Sequence, residues 1–484
     1  MDEFLFGKFT LIAKDLREHC LKTESDEVVC QYVAENWLQE KTACIYAGKN
    51  CSYITIPPFS GVGLFVGESV ITDDLSVLEK KGVDTEAVEM LCSYGFVSAP
   101  HTLYSNIRKL PPWCALRINP NTSELSFWKI PFPKDVETNR EDRFALLVEQ
   151  AIRDYDDSEK TAVGFSGGLD SSVLVHLLER YQKKVDLYSV YALNGRDESF
   201  YQRQMLGTSY RDMLQIEIRE ADALQSLKRI ASKEELFGSS LAIKYDFMAK
   251  KLSERGYTCA ITGDGPDDLL ISQGEVDAFF DLKKKRMMSL YGLPGETFLP
   301  LPTAEPEGLV EDAWYWYNFF LAAQTNIYFL KQYCADYDVK VCMPYLDGKI
   351  VQYCATESRK IFLETEKQRI KECPFWTLPP EILTRKKMGF TSDIALWLHP
   401  GTETWEMAQQ QFSKQDADPF FRYLNALGKQ DMELLQHDYE PNARTHGRGH
   451  INHLYTILQI SLWKDSLQDK LIQSVKWDGG SLLY

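Results

Sequence analysis

The stretch Thr161-Ala-Val-Gly-Phe-Ser-Gly-Gly-Leu-Asp-Ser-Ser-Val-Leu-Val175 decides the fold. A short apolar run enters Ser166-Gly167-Gly168. A helical pattern opens at about Asp170, with Val173, Leu174, Leu177 and Leu178 spaced to share one face. Glycines let backbone N–H groups turn toward a ligand with no Cβ in the way. A helix start adds unpaired N–H donors and the positive end of its dipole. With the hydroxyls of Ser166, Ser171 and Ser172, these groups make a nest for an anion about the size of pyrophosphate. Bare phosphates would repel Asp170, so its place in the loop points to a bridging Mg²⁺. The structural alternative is a Ser-Gly turn with Asp170 as a helix cap. No Gly-Lys-Ser/Thr follows, so this is not the Walker pattern.

Outward from the loop, strand and helix patterns alternate. Val185 to Leu193 is apolar, Tyr245 to Arg255 is helical and ends at Gly256, and Thr258 to Thr262 reads as a strand. Such alternation argues for a parallel sheet covered on both faces. Later segments, from Asp312 to Tyr333 and from Ile451 to Leu471, read as helical. Before the loop the texture differs. Phe4 to Ile12, Ala43 to Tyr46, Ser52 to Ile56, Val62 to Val66 and Glu124 to Ile130 have strand character, punctuated by Gly, Pro and Asn. Pro131 and Pro133 then precede a helical stretch from Asp135 to Tyr155, which puts a boundary in this region. The expectation is an α/β protein, β-rich over residues 1–135, with a parallel-sheet domain and added helices over 136–484.

Composition excludes several classes. The chain has 484 residues, and 54 basic against 70 acidic side chains give a net charge of −16. So acidic a chain repels a phosphate backbone, and no nucleic-acid partner is expected. No run of apolar residues is long enough to span a membrane, and Met1-Asp2-Glu3-Phe4 does not read as a signal peptide. Eleven scattered cysteines, with no Cys-x-x-Cys pair, suit free thiols in a reducing cytoplasm. The histidine group His437, His446, His450 and His453 has metal-like spacing but no obvious carboxylate, and Gly447 and Gly449 weaken a helix there.

The loop resembles the Ser-Gly-Gly-x-Asp-Ser signature of PP-loop ATP pyrophosphatases, which split ATP between the α and β phosphates. Further segments are similar to those of the asparagine synthetase-like family. They are Ile261-Thr262-Gly263-Asp264-Gly265-Pro266-Asp267-Asp268, Met343-Pro344-Tyr345-Leu346-Asp347, Glu366-Lys367-Gln368-Arg369-Ile370-Lys371-Glu372, and Leu378-Pro-Pro-Glu-Ile382 followed by Arg385-Lys386-Lys387-Met388-Gly389-Phe390. Near the N-terminus, Leu91-Cys-Ser-Tyr-Gly-Phe-Val97 and Ile107-Arg-Lys-Leu-Pro-Pro112 look like the end of that family's glutaminase domain. That domain has an Ntn-type fold, and the resemblance implies a degenerate glutaminase-like copy of it here.

The resemblance implies ATP and Mg²⁺ as cofactors. Ser166, Gly167, Gly168, Asp170, Ser171, Ser172 and Lys367 would hold the pyrophosphate, and Thr262 and Gly263 would line the nucleotide. Asp170 and Asp267 would hold the metal. Lys387 would stabilise an oxyanion, and Asp264 would take or orient the proton of an attacking amine. The implied activity is AMP-forming adenylation of a small-molecule or peptide carboxylate, followed by transfer to an amine. Asp2 stands where the family's glutaminases carry their cysteine, so no glutamine hydrolysis is expected. Three alternatives stay open: an intramolecular cyclase of the β-lactam synthetase or lasso-peptide type, an inactive ATP-binding scaffold, and a tRNA-modifying PP-loop enzyme. The oligomeric state is open as well, a homodimer among the expectations.

Overall fold

The computed structural model describes residues 2–6, 9–14, 16–21, 24–131, 143–193, 198–270, 321–356, 367–385, 394–438, 447–467 and 471. Side-chain alternation sorts the first part into two stacked sheets. One has the order β1-β2-β7-β6-β8, from β1 (Asp2–Phe6), β2 (Phe9–Ala13), β6 (Phe65–Val66), β7 (Val70–Thr72) and β8 (Arg108–Lys109). The other has the order β10-β9-β5-β4-β3, from β3 (Leu16–Cys20), β4 (Ala43–Ala47), β5 (Ser52–Thr55), β9 (Cys114–Asn119) and β10 (Glu124–Lys129). In β4, Ala43, Ile45 and Ala47 face the first sheet, where they join Leu11, Ile71, Ile54 and Leu116 in one core. The intervening Cys44 and Tyr46 face the other way, toward Val29 and Val33 of helix α1 (Asp26–Asn36). A period of two thus separates a sheet–sheet core from a sheet–helix core.

The third sheet is wholly parallel. Its order is β13-β12-β11-β14-β15, from β11 (Thr161–Gly164), β12 (Val185–Ala192), β13 (Leu214–Ile218), β14 (Cys259–Ile261) and β15 (Lys340–Cys342). The chain moves outward from β11 to β12 and β13, then returns to the other side of β11 as β14 and β15. The order therefore reverses between β11 and β14, and a crevice opens beyond the carboxyl ends of these two strands. Helix α4 (Leu169–Arg180) follows β11 and buries Val173, Leu174, Leu177 and Leu178, the face read from the sequence. Helix α7 (Leu241–Glu254) packs against the helix Asn326–Ala335 and leads into β14.

The expected strands of the parallel sheet and the helix from Tyr245 to Arg255 fall close to these bounds, whereas the expected helical stretches from Asp135 and from Asp312 begin outside the described residues. The run from Phe4 to Ile12 is two strands, β1 and β2, paired antiparallel. The C-terminal helix begins at Gly447, glycines notwithstanding, because its apolar face has a deep core to fill: Leu454, Leu458 and Trp463 are almost fully buried. The two regions also share one core. Phe65, Leu91 and Tyr104 belong to the same cluster as Val163, Phe329 and Trp463. Among the described residues no helix is long and apolar enough to cross a membrane.

Candidate active site

The loop after β11 is shaped by what presses on it. Gly167 has φ +69°, and a Cβ there would lie 2.9 Å from Cβ of Tyr201, on the neighbouring helix α5 (Ser199–Leu206). Only glycine meets both demands. Gly168 is the N-cap of α4 with extended backbone, and its N–H donates to Ser166 Oγ at 3.2 Å. The three serines differ in exposure and bonding. Ser166 is exposed, with Oγ 3.3 Å from Ser171 Oγ. Ser171 and Ser172 are buried, and both hydroxyls donate to the carbonyl of Gly168, at 3.1 and 2.8 Å. These back-bonds satisfy the turn and leave the first N–H groups of α4 as the loop's anion-facing donors.

The segment after β14 runs against the start of α4. A Cβ on Gly263 would lie 3.1 Å from the backbone nitrogen of Ser171, so the two chains meet backbone to backbone. Thr262 is buried beside them. Among the described residues its hydroxyl oxygen has no hydrogen-bond partner, a costly state unless a ligand supplies one. The corner Pro344–Leu346 braces both loops from beneath. Tyr345 is fully buried and donates from its hydroxyl to the carbonyl of Asp170 at 3.0 Å.

A charged cluster closes one side. Lys367 is buried, with φ +51°, and its ammonium lies 2.5 Å from Asp170 Oδ2 and also pairs with Asp267 Oδ1. Burial works against the charge of Lys367. Asp170 and then Asp267 outweigh it and hold the ammonium above its ordinary pKa. Residues nearly two hundred positions apart are thereby joined at the mouth of the phosphate loop.

A second cluster lies at the other side. Arg385, its side chain nearly buried, pairs with Glu198, donates to the carbonyl of Ser166 at 3.2 Å and stacks on Tyr201. Asp264 is exposed, at the turn after β14. Lys244 of α7 faces both Asp264 and Glu198. Burial brings its ammonium down to about 8, while these two carboxylates oppose the shift. Sequence reasoning assigns no role to Arg385, Glu198, Lys244 or Tyr345. Arg385 and Tyr345 sit inside quoted motifs, so a signal existed for them; none marks Lys244. Lys387 lies outside the described residues.

The remaining ionisable groups are placed elsewhere. His450 and His453 have a carboxylate between them after all: their Nδ1 atoms lie 2.9 and 2.6 Å from the two oxygens of Asp431. The described cysteines are all free thiols. Cys44, Cys51 and Cys92 are buried, and Cys20 is exposed.

A family model for asparagine synthase matches residues 144–465, which takes in both loops and both clusters. Asparagine synthetase [glutamine-hydrolyzing] 1 of Bacillus subtilis (strain 168) is 26% identical over 196 residues. That alignment covers 39% of this chain and 30% of the relative, so the chain matches less than a third of that protein's length. Among solved structures, the glutamine-dependent NAD+ synthetase from Acinetobacter baumannii in complex with ADP aligns over 93% of this chain and 73% of its own. The identity there is 10% and the TM-score 0.21. With a match over well over half of its residues, this chain belongs to the asparagine synthase family.

Proposed function

We propose that the protein is an AMP-forming carbon–nitrogen ligase: it adenylates a substrate carboxylate with ATP and passes the acyl group to an amine, without hydrolysing glutamine. Family membership supports ATP-dependent amide ligation in general. One observation carries the finer reading: Lys367, Asp170 and Asp267 meet at the N-terminus of α4, where the strand order reverses. Two carboxylates converging on one cationic position are the donor set of a hard divalent ion, so Mg²⁺ fits with Asp170 and Asp267 as its holders. When bound, Mg²⁺ supplies charge neutralisation for the departing pyrophosphate. The chain's own share is positional. Backbone N–H groups of the loop and the Lys367 ammonium take the β and γ phosphates, and the unpartnered hydroxyl of Thr262 takes a polar atom of the nucleotide.

On the acceptor side, the exposed carboxylate of Asp264 is the group in this reading that orients the amine and takes its proton. Lys387 steadies the tetrahedral oxyanion. The amine comes from outside the N-terminal region. Burial raises the described thiols Cys51 and Cys114 of that region, the latter to about 11, so neither supplies a ready thiolate. Incubation with ATP labelled in the α and γ positions, with a pool of carboxylates and amines, tests the reading. AMP and pyrophosphate are the expected products; ADP and phosphate would overturn it. Release of glutamate from labelled glutamine would overturn the claim about the N-terminal region alone.

A further inference from the structure

A second constellation of metal-ligating side chains lies in the N-terminal region, on residues that the candidate active site does not use. His19 comes from β3, the edge strand of its sheet. Glu40 comes from the turn after the short helix Trp37–Gln39, and Cys44 from β4. Parallel pairing of β3 with β4 sets Arg17 opposite Cys44 and His19 opposite Tyr46, so both rows of side chains face the same way. His19 Nε2, one oxygen of Glu40 and Cys44 Sγ all lie within 4.8 Å of one another. The His19 ring is held in place: it stacks on Tyr46 at 4.8 Å, nearly parallel, with Tyr32 against it at 5.9 Å. That stacking aims Nε2 at the cluster.

Two features make this more than an ion pair. His19 Nε2 is 3.0 Å from Glu40 Oε1, yet it is buried and makes no aligned hydrogen bond. Glu40 already has a partner for its other oxygen, the Arg17 guanidinium at 3.0 Å, which fixes the carboxylate plane. Cys44 is fully buried, and its thiol lies 3.6 Å from the carbonyl of Thr42, with Glu40 and Tyr46 beside it. One imidazole nitrogen, one carboxylate oxygen and one thiol sulfur then point into one small volume. Hard ions such as Mg²⁺ and Ca²⁺ take oxygen, whereas nitrogen with sulfur selects a borderline ion such as Zn²⁺.

We infer that His19, Glu40 and Cys44 form a binding site for a zinc-like divalent cation, which ties the edge strand β3 to β4 and to the turn before it. Coordination forms one bond each to nitrogen, oxygen and sulfur and displaces the Cys44 thiol proton to solvent. Three protein ligands leave a fourth position for water. The inference stands apart from the ligase reading and shares no residue with it.

Cobalt reports the site directly, because a thiolate bound to Co²⁺ gives a charge-transfer band. The full-length protein, stripped by chelator and kept reduced with a phosphine, is titrated with Co²⁺. The band should saturate at a single equivalent and be displaced by Zn²⁺. Cys44→Ser should abolish it, and Cys20→Ser should leave it intact. His19→Gln should weaken Co²⁺ binding by about tenfold or more, since even outer-shell partners are worth that much. His19→Gln also serves if the buried Cys44→Ser variant fails to fold, because its surroundings are partly exposed. Absence of a thiolate band, or a band that survives Cys44→Ser or is unmoved by His19→Gln, would overturn the assignment.

Discussion

At the residue scale, the clearest demands come from backbone approaches that no side chain can relax. Gly263 meets the backbone of Ser171, so Gly263→Ala must push the end of β14 from the start of α4. The expected result is a KM for ATP raised by about tenfold, near 1.4 kcal/mol, with a melting temperature close to the parent's. Unchanged ATP affinity would show that this approach does not shape the nucleotide site. Lys367→Gln removes the ammonium that neutralises Asp170 and Asp267. Pyrophosphate release should fall about a hundredfold or more, as when a single charge-stabilising donor is lost; turnover at the parent rate would remove Lys367 from the machinery. Lys387→Ala should spare ATP–pyrophosphate exchange and collapse product formation, and loss of exchange would move Lys387 to the first half-reaction. The loop residues themselves are legible in the sequence, because glycine, serine and aspartate act there through adjacent backbone. Their braces are not. Tyr345 reaches Asp170 across 175 positions, and Arg385 reaches Ser166 across 219. No local pattern encodes such a contact, and Lys244 looks like any helical lysine until β14 is set beside it.

At the element scale, short apolar strands bounded by glycine are readable because burial on both faces leaves a continuous hydrophobic run. Helix ends are less so, since packing overrides propensity. The helix Gly447–Asp465 shows it, and its pairing with Pro419–Asp438 yields a pH effect. Asp431 is fully buried between His450 and His453. Burial raises its pKa, but the two imidazoles overcome this and leave it lowered. A depressed carboxyl adds stability that is present above its unfolded pKa, about 3.9, and is lost as pH falls through the folded value. His450 is raised, chiefly by its hydrogen bond to Asp431. Its contribution is complete below the unfolded imidazole pKa, about 6.5, and is lost as pH rises through the folded one. The pair should therefore stabilise the hairpin most between about pH 4 and 6.5. Urea melts from pH 4 to 8.5 should show a decline at the alkaline side that is absent in Asp431→Asn. Parallel profiles for the two proteins would contradict it.

At the scale of the whole molecule, the N-terminal sheets and the parallel-sheet region are fastened by polar contacts as well as by a common core. Lys109 is 2.6 Å from Glu235, which also accepts from Tyr328, and Tyr104 donates to Glu234. Gln332 donates to the carbonyl of Gly61, and Gly238 to that of Gly95. With one cluster running through both regions, calorimetry should record a single cooperative transition. Lys109→Ala, which takes away the cation that pairs with Glu235, should lower its midpoint or split it in two. Two separate transitions in the parent would mean that the regions melt independently. The distribution of the cysteines has a practical sequel. Most are sheltered in packing, while Cys20 stands exposed at the end of an edge strand. Air oxidation should then cross-link two molecules through that sulfur ahead of any internal scrambling, so a Cys20→Ser preparation ought to store without reductant and run as a uniform band on a non-reducing gel.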